Sequence, residues 1–380
     1  MTPHLEDTVS AKIAGVTRAL AVAAIVCLAG CASTGEGDTT APTTSTSTTS
    51  TTAQGPATTQ GPTTSLAETS TTTTTAAYLA AEELTIEAFP VPEGSRPHDV
   101  APAADGGVWY TAQNLGDLGW LDPATGETIH ISLGSGARPH GVIVDEEGTP
   151  WITDGGLNAI VSVDPSSHEV TVYPLPDTYP NANLNTAVFD DSGVLWFTGQ
   201  GGVYGSLDPA AGTMEVADAP GGRGPYGITS TPEGAVFYAS LAGSYVGAIG
   251  DDGSATVLEP PSPGQGARRV WSDSAGSIWV SEWNTGDLSR YDPDTREWAV
   301  WPLPGDDPAA YAVYVDEADV VWVSDFGGEG AMVRFDPATE TFDTYPLPHS
   351  SGEVRQIHGR PGEVWGAESA ADHLIVIRTR

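Results

Sequence analysis

Lysine is almost missing from this chain of 380 residues: Lys12 is the only one, and Lys and Arg together number 14 against 50 Asp and Glu, a formal net charge of −36. So few cations leave nothing from which to build a basic face. Nucleic acid is therefore excluded as a partner, and contact with an anionic membrane is limited to a covalent anchor. A body without lysine also makes no Schiff base and has no phosphate-loop lysine. Cysteine is equally scarce, with Cys27 and Cys31 the only two. The bulk of the chain folds without disulfides and does no thiol chemistry.

Long apolar runs are rare as well. The one near the N-terminus, residues 19–30, follows Lys12 and Arg18; it fits a signal-peptide core and is too short to span a membrane. It closes on Leu28-Ala29-Gly30-Cys31, which resembles the lipobox of bacterial lipoproteins. That resemblance implies diacylation of Cys31 and a place on the extracellular face of the bacterial cell membrane. Residues 1–30 are accordingly read as a lipoprotein signal peptide. Residues 31–80 are rich in Thr, Ser and Pro. With little to bury against the entropy of ordering, they are expected to form a disordered stalk, spanning roughly 40 Å if about 45 residues behave as a flexible coil.

From residue 81 to 380 the sequence repeats. One unit reads Pro139-His140-Gly141-Val142, an acidic turn at Asp145-Glu146-Glu147-Gly148, then Trp151-Ile152-Thr153-Asp154, a third strand ending at Asp164-Pro165, and Val172-Tyr173-Pro174-Leu175-Pro176. Its aromatic recurs at Trp109, Trp151, Trp196, Phe237, Trp279, Trp322 and Trp365, at intervals of 41 to 45 residues. Seven such units with four short strands each predict an all-β, seven-bladed β-propeller, four antiparallel strands per blade. The last unit lacks its fourth strand. Residues 85–92, ending Phe89-Pro90-Val91-Pro92, match the fourth-strand pattern Tyr345-Pro346-Leu347-Pro348, so the N-terminal strand is expected to close the last blade and remove the open sheet edges. The pairs beginning at Asp122, Asp164, Asp208, Asp292 and Asp336 read as Asp-Pro hairpin turns, and one aromatic per blade reads as packing.

In a propeller, the start of each innermost strand and the end of the next meet at one mouth of the central channel. Counting back from the aromatics gives His98, His140, Asn185, Tyr226, Arg268, Tyr311 and Arg355; counting forward gives Asp154, Glu282, Asp325 and Glu368 among smaller residues. The histidines are candidate bases and the carboxylates candidate ligands of Mg²⁺ or Ca²⁺. Intra-blade ion pairs, Arg268 with Glu282 and Arg355 with Glu368, are the bland alternative. His130, His168, His349, His358 and His373 fall off this rim and receive no role.

The units Gly224-Pro225-Tyr226-Gly227-Ile228 and Leu195-Trp196-Phe197-Thr198, with the Asp-Pro turns and Tyr-Pro-Leu-Pro tails, resemble the virginiamycin B lyase (streptogramin lyase) family over residues 84–380. The resemblance implies a carbon–oxygen lyase that opens an ester of a cyclic depsipeptide by β-elimination, a histidine taking the α-proton while carboxylate-held Mg²⁺ stabilises the enolate. At the family's two histidine positions, in the last two blades, this chain has Tyr311 and Arg355. Only the family's glutamate is matched, by Glu353. The Pro-His motifs stand instead at His98 and His140, on adjacent blades. Two readings follow: a metal-dependent lyase with His140 or His98 as base and Glu282, Asp325, Glu368 and Asp154 as ligands, or a non-catalytic propeller, monomeric and displayed on its stalk, that binds a small molecule, peptide or protein at the channel mouth. A gluconolactonase-like site, resting on Asn185, is a thinner third.

Overall fold

The computed structural model describes residues 78–380; the apolar N-terminal run, Cys31 and most of the stalk lie outside them. Within these residues, twenty-eight strands, β1 to β28 in chain order, form seven four-stranded antiparallel sheets. Six sheets use four consecutive strands. The seventh runs β1-β28-β27-β26: β1 (Ile86–Pro90) pairs with β28 (His373–Arg378) from Ile86 opposite Ile377 to Pro90 opposite His373. The first strand thus completes the last blade, and the ring is closed. Among the described residues no helix is long and apolar enough to cross a membrane.

Burial follows position in the blade. Pro150–Asp154 is buried at every residue, whereas the outermost strand of that blade, Val170–Pro174, has no fully buried residue. The blade aromatics are core: Trp279, Trp322 and Trp365 are essentially inaccessible. Four of the tryptophans cannot be buried as bare hydrocarbon, since each indole N–H needs an acceptor. The acidic turn of the same blade provides it, through Asp145 to Trp151 at 2.8 Å, Asp190 to Trp196 at 2.7 Å, Asp273 to Trp279 at 2.9 Å and Asp316 to Trp322 at 2.9 Å. The Asp-Pro aspartates hold their own turns, Asp122 accepting from the Ala124 amide at 2.8 Å and Asp164 from Ser166 at 2.9 Å.

One irregularity, repeated seven times, positions everything that follows. In every blade the innermost hairpin shifts register near the start of its first strand. Such a bulge puts extra residues opposite one partner and re-aims their side chains. The loosened amide is taken by a hydroxyl on the second strand: Thr111 accepts from Asp99 at 3.0 Å, Thr153 from Gly141 at 2.9 Å and Ser281 from Arg269 at 3.1 Å. Each hydroxyl then donates to the next blade, Thr111 to the His140 carbonyl at 2.8 Å, Thr153 to Asn185 at 2.5 Å and Ser281 to Tyr311 at 2.7 Å. A Thr or Ser two residues after the blade tryptophan therefore satisfies the bulge and joins neighbouring blades. Gly141 is required there, because a Cβ would lie 2.7 Å from the Asn185 carbonyl.

Candidate functional site

The seven bulge residues meet at the channel mouth. His98 and His140 pack ring against ring with centroids 3.8 Å apart, and the Asn185 amide donates to His140 Nε2 at 3.1 Å. On the other side Tyr226 and Tyr311 share a hydrogen bond of 2.7 Å. Arg268 lies over the Tyr311 ring, 3.5 Å from its centroid, and also faces Trp283 at 4.7 Å. Arg355 reaches the Tyr311 hydroxyl at 3.4 Å and is paired with Glu353. Histidines, tyrosines and arginines thus share one ring, in which the strand of Arg355 adjoins that of His98.

Two further candidate residues, Asp99 and Arg269, sit one position along their strands from the mouth positions His98 and Arg268. Asp99 accepts from His98 Nδ1 at 2.7 Å and is held by Arg269 Nη2 at 3.0 Å. Arg269 in turn donates to Thr186 at 2.6 Å. With Nδ1–H given to a carboxylate, His98 keeps its Nε2 lone pair, the arrangement that orients a general base. The signal available in the sequence is a charged residue directly after a mouth position, Asp99 after His98 and Arg269 after Arg268.

The forward-counted carboxylates do not join this ring. Asp154, Glu282, Asp325 and Glu368 stand opposite Pro139, Ala267, Ala310 and Val354, the residue before each mouth position, so alternation turns them away from it. Asp154 accepts from the amides of Arg138, Gly156 and Leu157, and Asp325 from those of Ala309 and Gly327. Glu368 holds His349 at 2.8 Å, and Glu282 accepts from Thr285 at 3.1 Å. The alternative ion pairs, Arg268 with Glu282 and Arg355 with Glu368, are not formed: Arg355 takes Glu353, and among the described residues no carboxylate pairs with Arg268.

A divalent ion finds a poor donor set here. Among the described residues no three of those carboxylates come within ligating reach of one another; the one group that does is His98, Asp99 and His140. Asp99 is already committed to a guanidinium 3.0 Å away and to the His98 N–H, so a cation would enter against a fixed positive charge. The residues present do not fit the metal site that the family implies.

Electrostatics at the mouth are those of a positive pocket in an acidic protein. Burial, then Arg355, Arg269, Arg268 and Arg96, hold His98 well below the ordinary histidine range; burial and then His98 do the same to His140. Burial works to raise Tyr311, but Arg268, Arg355 and Arg269 outweigh it and bring the phenol down to about 8. Burial and the neighbouring Tyr311 push Tyr226 up. Desolvation likewise brings half-buried His358 down to about 4. These depressed histidines make a prediction: the folded state binds fewer protons than the unfolded chain below the unfolded value of about 6.5, so stability falls as pH drops through that value. Each contributes a loss of roughly 2 kcal/mol between about pH 7 and 5. Urea unfolding across that range checks it, and His358→Phe is expected to flatten the slope by about one proton, or ~1.4 kcal/mol per pH unit.

The class is therefore a closed seven-bladed propeller with an oriented histidine and unneutralised arginine at one channel mouth. The chain belongs to the virginiamycin B lyase family, whose model matches residues 41–334. Virginiamycin B lyase from Staphylococcus aureus is similar at a TM-score of 0.72 and 18% identity, over 78% of this chain and 99% of that one. A streptogramin B lyase structure gives 0.71 and 22%, over 78% and 98%. A catalytically inactive virginiamycin B lyase from Staphylococcus aureus with quinupristin gives 0.72 and 19%, over 78% and 99%. At such identities the likeness shows the fold alone. Among curated proteins none matches the chain.

Proposed function

We propose that the protein is a carbon–oxygen lyase whose base is His98 and whose electrophilic groups are arginines. The observation that carries this reading is the Arg269–Asp99–His98 chain, which leaves an oriented neutral imidazole in the same ring as Arg268, a half-buried guanidinium without an acidic partner among the described residues. His98 Nε2 takes the proton α to a carbonyl. The C–H electron pair forms the new double bond, and the β C–O bond breaks toward the leaving carboxylate. Arg268 and Arg355 meet the charge that develops on the enolate oxygen and the departing carboxylate, for which a guanidinium fork is well shaped. Tyr311 stands where the family has a histidine and supplies a hydroxyl held by Arg355.

The substrate class suggested by the family is a cyclic depsipeptide ester, and quinupristin is a suitable probe. Elimination opens the ring without changing its mass, whereas hydrolysis adds one water, so mass spectrometry separates the two. Ring opening at constant mass is expected, with His98→Ala slower by about 10²-fold or more while its melting temperature holds, the range typical of a general base. No opening by the wild-type chain defeats the reading. Saturable binding without turnover would instead support a binding propeller, a reading favoured by Tyr311 and Arg355 at the family's histidine positions. The apolar run before Cys31 supports display of either activity outside the cell, on a lipid anchor.

A further inference from the structure

In three of the blades the bulge of the innermost hairpin places a polar residue directly after the mouth residue: Asp99 after His98, Thr186 after Asn185 and Arg269 after Arg268. These three come from the first, third and fifth blades and meet across the channel. Arg269 Nη2 holds Asp99 at 3.0 Å, and Nη1 donates to Thr186 Oγ1 at 2.6 Å. One guanidinium therefore roots two branches, and each branch leads to a histidine of the mouth.

A guanidinium only donates, so the direction of the bonds beyond it follows. Thr186 receives at its oxygen and gives its single O–H to Asn185 Oδ1 at 2.9 Å. The other end of that amide is then the NH2 group, which faces His140 Nε2 at 3.1 Å. An amide NH2 does not accept, so Nε2 carries the His140 lone pair and the proton sits on Nδ1. Turning the amide over would put two donors on the Thr186 oxygen and leave its O–H without an acceptor among the described residues. On the other branch Asp99 accepts the Nδ1 proton of His98 at 2.7 Å. Both imidazoles are thus the Nδ1–H form, and burial above all keeps both neutral. They differ at the second nitrogen. His140 Nε2 is occupied by Asn185, whereas no hydrogen bond from a described residue reaches His98 Nε2.

We propose that Thr186 and Asn185 are positioning residues: by occupying the one lone pair of His140, they leave His98 Nε2 as the only imidazole nitrogen at the mouth free to take a proton. The part this plays in elimination rests on the lyase reading; the proton positions do not. When His98 takes the α-proton, the imidazolium is held by Asp99, and His140, its ring centroid 3.8 Å away, stays neutral. A second charge at that distance would oppose the first.

Ring-nitrogen NMR of the full chain carrying ¹⁵N-labelled histidine tests it, with signals assigned by their loss in His98→Gln and His140→Gln. In the wild type both histidines are expected to favour Nδ1–H over Nε2–H by about tenfold or more, since the reverse form strands a buried donor. Thr186→Val frees the Asn185 amide to turn, so His140 becomes a mixture of the two forms while His98 stays Nδ1–H. Thr186→Ser keeps the hydroxyl and restores the wild-type pattern, which a merely structural role would not predict. Asn185→Asp presents only acceptors and places a proton on His140 Nε2; it decides should Thr186→Val fail to fold. His140 as Nε2–H in the wild type, or a His140 pattern that folded Thr186→Val or Asn185→Asp leaves unchanged, would overturn the proposal. The spectra need no turnover, so the two readings fail separately: intact quinupristin with the expected spectra defeats the lyase reading and supports the proton positions, and opened quinupristin with His140 as Nε2–H defeats the proposal alone.

Discussion

Replacing Arg269 with Met is expected to destabilise the protein by about 3–5 kcal/mol, the cost of stranding one charge of a buried pair. Asp99 and Arg269 are 1% and 4% exposed, and their contacts are close, with Nη2 to Oδ1 at 3.0 Å and Nη1 to Oδ2 at 3.4 Å. Methionine keeps much of the aliphatic stem, so the loss isolates the guanidinium. Without it, burial drives the Asp99 carboxyl toward its protonated form, and the carboxylate that orients His98 is weakened. The double variant Asp99→Leu/Arg269→Met removes both charges together. Because a buried ion pair repays little more than its own desolvation, the double is expected to regain most of the stability lost by the single change. Urea unfolding of the four proteins of this cycle measures the coupling. A single variant as stable as wild type would show that water reaches Asp99. The same set separates stability from chemistry, since a refolded double variant still lacks the group that fixes the His98 tautomer.

The ring was legible because a propeller repeats its local geometry. A tryptophan at regular spacing fixes the second strand of each blade, and a constant offset then finds the first residues of the innermost strand. His98, His140, Asn185, Tyr226, Arg268, Tyr311 and Arg355 were reached this way, and the ring contacts among them bear the offset out. The same arithmetic misplaced the carboxylates, because it assumed that hairpin neighbours share a face. The bulge breaks that assumption. With Pro97 opposite Ala112 and Val100 opposite Tyr110, both His98 and Asp99 fall opposite Thr111, and the end of the second strand pairs with the residue before the mouth position. No single-residue pattern announces a bulge whose loose amide is taken by a distant hydroxyl. The Thr or Ser two residues after Trp109, Trp151, Trp196, Trp279 and Trp322 is visible in the sequence, but its partners lie in other strands and in other blades.

Deleting residues 83–92 is expected to lower stability by on the order of 5 kcal/mol and to expose the protein to aggregation, while deleting residues 32–75 leaves the melting temperature nearly unchanged. The first deletion removes β1, and with it the whole ladder from Ile86 to Pro90. It also removes Phe89, which packs on Trp365 at 5.7 Å, and Val91, which is buried in the same cluster. Lost apolar burial of that extent, with unpaired amides and carbonyls along β28, accounts for the magnitude. What remains is an edge presenting Ile375, Val376 and Ile377, now inaccessible, to any strand that can pair with it. Tyr78 would lose its place too: its hydroxyl donates to Asp316 at 2.7 Å and the Leu79 amide to the Thr379 carbonyl at 2.8 Å, contacts that depend on the chain continuing into β1. Residues 32–75, by contrast, carry few large apolar side chains to bury. Calorimetry of the two truncations decides the matter, and equal melting temperatures would contradict the closure. A synthetic peptide of residues 84–92 supplied in trans should restore the lost transition, because the open edge accepts a strand by the same hydrogen bonds and apolar contacts whether or not it is covalently attached.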